Sequence, residues 1–264
     1  MVLQYFSEKK YDQLVKDYIA TETPYLFIEE IGVGAYGVAY LLEDSTTHKY
    51  VLKRMKTKHR HKKSIRQKFE QEIKILKEFG LPNVPALITY GEIEDIPFYI
   101  MDYIEGKTFE QAIFQDGQSF SLEQSLQITK ELLKIIIEFH NKGIVHRDLR
   151  IPNILIKNHT LNIIDFGLAA FLKKEMKFDA INNPKRAENH ISDLYFIGHF
   201  LLFLLYSTYT PTTKKERSWQ EELQLPAEVT DYLERLLLIR PPFSSAENAL
   251  EKIPIDSHNK NTIM

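Results

Sequence analysis

A chain of 264 residues with 44% apolar and 27% charged residues has ordinary globular proportions, which exclude a disordered polypeptide and leave room for one two-lobed domain or two small ones. Its formal net charge of -2 gives no global attraction for an anionic membrane or for nucleic acid, which is not an expected partner. The absence of cysteine excludes disulfides, thiolate nucleophiles and cysteine-bound zinc, and it points to a reducing, cytoplasmic location.

The amino terminus carries Glu8, Lys9 and Lys10 and no long apolar core, so it does not read as a secretory signal. Tyr11, Leu14, Val15, Tyr18 and Ile19 share one helical face, which predicts an amphipathic leading helix within residues 1–24, ended by Pro24. From Tyr25 to Lys56 the pattern is strand, glycine-rich turn, strand, polar turn at Glu43-Asp44-Ser45-Thr46, strand. A helix is predicted from Ser64 to Phe79, with Ile65, Phe69, Ile73 and Leu76 on one face. Residues 84–101 return to strand composition and end in the buried-strand run Phe98-Tyr99-Ile100-Met101.

After Gly106 helices dominate, notably Leu122 to Asn141 and Ile191 to Tyr206, with a β-like island from Ile154 to Ile164. The apolar stretch Leu194 to Tyr206 is shorter than the roughly 20 residues of a membrane span and reads as a buried helix, apolar on all sides. Trp219 is expected in a core. Helices follow at Pro226 to Leu238 and Ala246 to Ile253, the latter opened by a capping box of Ser244 and Glu247, and Ser257 to Met264 is a polar tail. A strand-rich first third and a helical remainder define an α+β fold rather than a doubly wound sheet.

Ile31-Gly32-Val33-Gly34-Ala35-Tyr36-Gly37 lies between two strands rather than opening a helix, which argues against a dinucleotide fold. Such a run serves equally as a tight turn or as a cradle whose backbone N–H groups approach phosphate. Further along stand His146-Arg147-Asp148-Leu149-Arg150-Ile151-Pro152-Asn153 and Asp165-Phe166-Gly167. With the glycine run and with Lys53 in Tyr50-Val51-Leu52-Lys53, these segments resemble the protein kinase family from about Gly32 to Gly198.

The resemblance implies a bilobal domain: a small antiparallel β-sheet lobe with one main helix at 25–101, a hinge at 102–106, a mainly helical lobe at 107–255 and a flexible tail at 256–264. It implies an ATP-dependent phosphotransferase, a serine/threonine protein kinase with Mg²⁺ (or Mn²⁺) as cofactor and a protein as substrate, capable of autophosphorylation. In that reading residues 31–37 cradle ATP, and Lys53 contacts its α and β phosphates, held by Glu72 nineteen residues on, with Glu70 the competing choice. Asp148 takes or orients the proton of the acceptor hydroxyl, and Arg150 neutralises the γ-phosphate. Asn153 and Asp165 hold the metal. Met101 would be the gatekeeper, the backbone of Asp102 and Ile104 would pair with adenine, and Leu155 would pack beneath it. Above the ring, Ala39 and Val51 exchange the volumes usual in the family, a compensating swap. Asp193-Leu194-Tyr195-Phe196-Ile197-Gly198 resembles the family's D-x-W-x-x-G, with Asp193 bracing the catalytic loop.

Three departures qualify the picture. No Ala-Pro-Glu motif follows Asp165, which leaves the docking of a peptide acceptor open, and Arg150 fits both serine/threonine and some tyrosine kinases. From Leu168 to Ile191 there is no Ser, Thr or Tyr, so Arg147 would find its partner in Glu175, Asp179 or Glu188, while Ser192 would cap the next helix. Lys53 to Lys68 holds nine Lys or Arg, two His and no acid; this is a solvated face or, alternatively, a docking surface for an acidic partner. Other functional readings are an aminoglycoside-type small-molecule kinase, an ATPase, and a nucleotide-binding pseudokinase, which would have lost Lys53, Asp148 or Asp165.

Overall fold

The computed structural model describes residues 2–158, 160–173, 175, 179–211 and 217–255, so the tail expected at 256–264 lies outside the described residues. The chain forms two compact units, Met1–Glu105 and Gly106–Met264.

The first unit opens with helix α1, Val2–Glu22. Tyr11, Val15 and Ile19, one turn apart, are its buried stripe, and Pro24 follows the last turn because it cannot donate to it. Strands β1 (Leu26–Val33), β2 (Gly37–Glu43) and β3 (Lys49–Met55) form the expected meander, followed by α2 (Lys63–Phe79), β4 (Leu87–Ile93) and β5 (Ile96–Asp102). They build one five-stranded antiparallel sheet in the order β1-β2-β3-β5-β4. Glu94 and Asp95, both with positive φ, make the two-residue turn of the β4–β5 hairpin.

Register divides the sheet's side chains between two helices. Tyr40 pairs with Leu52 and Val38 with Arg54, which places all four on one face. That face meets α1: Tyr18 packs edge-on against Phe98 at 5.3 Å, and the Tyr11 hydroxyl donates to Ile93 O. The opposite face, with Lys53 and Tyr99, meets α2, where Phe69 lies 5.4 Å from the Tyr99 ring. Cover on both faces explains why Phe98-Tyr99-Ile100-Met101 shows no polar alternation.

The basic run is not a uniformly solvated face. Arg54, at 0% exposure, is among the most buried side chains of the protein. It is held by α1: its guanidinium pairs with Glu8 at 2.9 Å and with Asp12, and donates to the Tyr40 hydroxyl at 2.8 Å. Arg60 donates to Glu94 O, and Arg66 bonds Glu70, Glu92 and Asp95 O. A buried cation needs such partners, since desolvation would otherwise cost several kcal/mol, on the order of a whole domain's net stability.

The second unit begins with β6 (Lys107–Thr108) and a short helix α3 (Phe109–Phe114), capped by a Thr108/Gln111 box. Helix α4 (Leu122–Asn141) has the boundaries expected of it, set by a Ser121/Gln124 capping box. Strands β7 (Ile144–Val145), β8 (Ile154–Lys157), β9 (Thr160–Ile163) and β10 (Ala170–Phe171) form the sheets β6-β8-β9 and β10-β7. Helices α5 (His190–Tyr206), α6 (Trp219–Glu222), α7 (Ala227–Leu236) and α8 (Ala246–Glu251) complete it. Gly198 lets α5 and α7 touch, because a Cβ there would stand 3.0 Å from Leu236 Cβ and Leu237 Cδ2.

Four details differ from expectation. The N-cap of α5 is Asn189, whose side chain accepts from Ile191 N–H; Ser192 lies within the helix, its hydroxyl buried. Ser245 caps α8 in place of Ser244, because Ser245 is the residue with extended backbone and its hydroxyl accepts from Asn248 N–H. Trp219 is only half-buried, on the four-residue α6. Helix α5 is not enclosed on all sides, since Phe203 is 45% exposed. No helix among the described residues is long and apolar enough to cross a membrane.

Candidate active site

In the first unit the β1–β2 turn carries the glycine run. Ile31, Val33 and Tyr36 are exposed, as are Gly32, Gly34 and Ala35, and Gly34 N–H donates to Gly37 O at 3.0 Å to close the turn. Gly37 is required by close approach: a Cβ would stand 2.9 Å from Arg54 O and 3.6 Å from Lys53 Cε.

Lys53 stands opposite Ala39, and Val51 opposite Leu41, so Ala39 and Val51 are diagonal neighbours on the Lys53 face. Lys53 Nζ pairs with Glu72 Oε1 at 2.7 Å, and the Tyr99 hydroxyl donates to the same oxygen at 2.8 Å. Glu72 is 3% exposed, whereas Glu70 is exposed and bonds Arg66. Met101 and Asp102 end β5, with Ile104 just beyond, all half-buried. The Asp102 and Tyr103 N–H groups are committed to Ala86 O at 3.0 Å and Lys49 O at 3.1 Å.

In the second unit β7 leads into a loop suspended from one carboxylate. Asp193 Oδ2 accepts from His146 N–H at 3.0 Å and Oδ1 from Arg147 N–H at 2.7 Å, and His140 Nε2 lies 2.9 Å from Oδ2. Burial pushes the Asp193 carboxyl up, yet the bonds from His140 and Arg147 N–H win and hold it below its ordinary value. Burial pulls the His146 imidazole below its ordinary value, and its Nδ1 accepts from Asp148 N–H at 3.3 Å. Phe166 packs edge-on against His146 at 4.9 Å, tying the Asp165-Phe166-Gly167 segment to the loop.

Within that loop Asp148 is fixed through both oxygens. Arg150 donates from Nε at 2.5 Å to Oδ1 and from Nη2 at 2.9 Å to Oδ2, and Asn153 Nδ2 donates to Oδ2 at 2.9 Å and to Asp148 O at 3.0 Å. The bond to Asp148 is also what raises Arg150 further above its ordinary value. Arg147 and Asp165 both have positive φ, at 67° and 62°, a strained backbone of the kind that gathers at functional sites. Asp165 is exposed, with Gly167 N–H 3.3 Å from its Oδ1, and Leu155 is buried on β8.

Of the three carboxylates offered to Arg147, Glu188 is the one beside it, with Oε1 3.8 Å from Nη1 and a second bond to Lys173. Asp179 instead caps its own turn through Ile181 N–H at 2.9 Å, and Glu175 is exposed. His140 was not legible as a site residue, since nothing in its spacing marks it as Asp193's partner. No group of three or more His, Asp or Glu able to hold a metal is present among the described residues. The donors that could hold a metal are hard oxygens: the Asp165 carboxylate and the Asn153 amide oxygen, whose Nδ2 is committed to Asp148. That set suits a divalent cation completed by substrate phosphates, as Mg²⁺ sites commonly are.

The fold is that of a kinase domain: the structure matches the crystal structure of the Mycobacterium tuberculosis PknI kinase domain with a TM-score of 0.66, covering 87% of this chain and 94% of that one at 18% identity. At the level of sequence, the family model "Protein kinase domain" matches residues 25–197. "Probable serine/threonine-protein kinase YbdM" of Bacillus subtilis (strain 168) is 35% identical over 254 residues, 96% of this chain and 97% of that protein. PrkC, a serine/threonine-protein kinase of the same organism, is 29% identical over 195 residues, which are 69% of this chain but only 30% of PrkC. The chain therefore belongs to the protein kinase family, in its Hanks-type serine/threonine branch, and is an ATP-dependent enzyme that uses a divalent metal.

Proposed function

We propose that this protein kinase transfers the γ-phosphate of Mg-ATP to Ser or Thr hydroxyls of a protein, with Lys53, Glu72, Asp148, Arg150, Asn153 and Asp165 all serving one nucleotide. The observation that carries this reading is the Lys53–Glu72 pair at 2.7 Å, because a buried carboxylate aims the ammonium where a polyphosphate needs it. Residues 31–37 would cradle the phosphates. Ala39, Val51, Met101 and Leu155 would line the adenine. With the Asp102 N–H committed to Ala86, the Asp102 carbonyl and the Ile104 N–H are the groups left to pair with it.

Asp165 and Asn153 would hold the metal, which when bound supplies neutralisation of phosphate charge. Asp148 accepts the acceptor hydroxyl's proton. Arg150 then has two duties, keeping Asp148 oriented and moving to the γ-phosphate as charge develops there. Lobes at 25–101 and 107–255 joined by a hinge at 102–106 follow from the same reading, and the lack of cysteine favours the cytoplasm. Lys58, Lys62, Lys63 and Lys68 remain exposed for an acidic partner. Incubation with labelled ATP and Mg²⁺ tests the activity: phosphoserine or phosphothreonine should appear with the wild type and not with Lys53→Met, and phosphotyrosine alone would overturn the acceptor.

Activation is proposed not to need phosphorylation of residues 168–191, since Arg147 has a permanent carboxylate beside it in Glu188. Phosphatase treatment should therefore leave the turnover number within about twofold, the effect of a few tenths of a kcal/mol. A loss of activity traceable to this segment would contradict that expectation.

A further inference from the structure

Three contacts from outside the glycine hairpin reach its tip. His59 Nε2 lies 3.2 Å from Ala35 O, the His59 and Tyr36 rings meet at 5.7 Å, and Lys56 N–H donates to Tyr36 O at 2.8 Å. A carbonyl only accepts, so Nε2 donates its N–H to Ala35 O. The other ring nitrogen, Nδ1, is buried with no hydrogen-bond partner among the described residues, so the ring is held there by its contacts to the loop tip. His59 is 6% exposed although it sits in the middle of the basic run, between half-buried or exposed neighbours.

The turn that carries it is itself fastened. His59 ends the single 3₁₀ turn Thr57–His59, and Glu8 Oε1, from α1, accepts from Thr57 N–H at 2.7 Å and from its hydroxyl at 2.6 Å. The other Glu8 oxygen accepts from buried Arg54 at 2.9 Å. A continuous line of contacts thus runs from α1 through Glu8, Thr57 and His59 to the backbone of Ala35.

We propose that this line is a strut that sets the position of the glycine loop for ATP, with His59 a positioning residue and Glu8 its anchor in the leading helix. The proposal rests on the reading of residues 31–37 as the phosphate cradle. It gives α1 a part in nucleotide binding without contact to the nucleotide. A loop tip held in place from outside binds more tightly than one that must be ordered by the ligand, because the ordering entropy is already spent.

The test is a split of KM against kcat for ATP in His59→Ala, His59→Gln, Glu8→Gln and Gly34→Val, with thermal unfolding of each as the check on folding. Losing one hydrogen bond to the loop should raise KM for ATP in His59→Ala by about 5- to 10-fold, with the change in KM rather than kcat. His59→Gln keeps an N–H donor at similar reach and should recover most of it, and Glu8→Gln should move KM in the same direction by less. Gly34→Val has room in the protein, since its Cβ meets only Gly37 O at 3.8 Å, but it intrudes on a phosphate. KM raised by Gly34→Val but within twofold of wild type in His59→Ala would overturn the strut alone. KM unmoved by Gly34→Val would instead overturn the phosphate-cradle reading. Should His59→Ala not fold, Glu8→Gln and Thr57→Val, which removes the hydroxyl bond to Glu8, decide the question: KM raised in both supports the strut, and KM within twofold of wild type in either overturns it.

Discussion

Asp148→Asn should lower the turnover number by about 10²- to 10⁴-fold, the range general-base groups contribute, while ATP affinity changes by no more than severalfold. The expectation comes from the surroundings of Asp148, which is 6% exposed and accepts from Arg150 on both oxygens and from Asn153 on one. An amide keeps the shape but cannot take a proton, and its NH₂ must face a donor that the carboxylate oxygen had satisfied. Steady-state kinetics with a nucleotide titration separates the two effects. A turnover number within tenfold of wild type would remove Asp148 from the role of base.

Asp193→Ala should cost about 3–5 kcal/mol of stability, because it strips a buried carboxylate from His140 and leaves the His146 and Arg147 N–H groups unpaired. Against a typical net stability of about 5–15 kcal/mol this is a large fraction, readable as a lowered midpoint in chemical unfolding. Activity should fall with it, since those N–H groups fix the backbone that carries Asp148. The pH dependence has a definite sign. With its folded pKa held below the ordinary 3.8, Asp193 contributes stability that is full above that value and is lost as pH falls through the depressed one. Asp193→Asn should therefore flatten the acid-side fall in stability. An unchanged unfolding midpoint in Asp193→Ala would contradict the bracing role.

The elements with a strong period or a cap were legible in the sequence: α4 has the boundaries its pattern implied, α2 and β5 fall within a few residues of theirs, and β4 lies within the strand-like stretch 84–101, where the pattern did not separate it from β5. Glu72 could be preferred to Glu70 because Ile73 and Leu76 fix which face of α2 is inward. What escaped depended on contacts distant in the chain. Arg54 looked like one more cation in a basic run, and only the packing of α1 on the second face of the sheet, with Glu8 and Asp12 more than forty residues away, makes it a buried one. His140 and His59 escaped for the same reason. The caps at Asn189 and Ser245 were missed because neighbouring residues of similar chemistry competed, and backbone geometry rather than composition chose between them.

The proposed function assigns both Lys53 and Asp165 to the binding of ATP and its metal. Labelling with an acyl-phosphate derivative of ATP, in which a lysine amine attacks the acyl group beside the phosphates, tests it directly when wild type and Asp165→Asn are compared in the presence of Mg²⁺. Lys53 should be the principal labelled residue in the wild type, and its labelling should fall several-fold in Asp165→Asn. Labelling that bypasses Lys53, or that is the same in both proteins, would contradict the account.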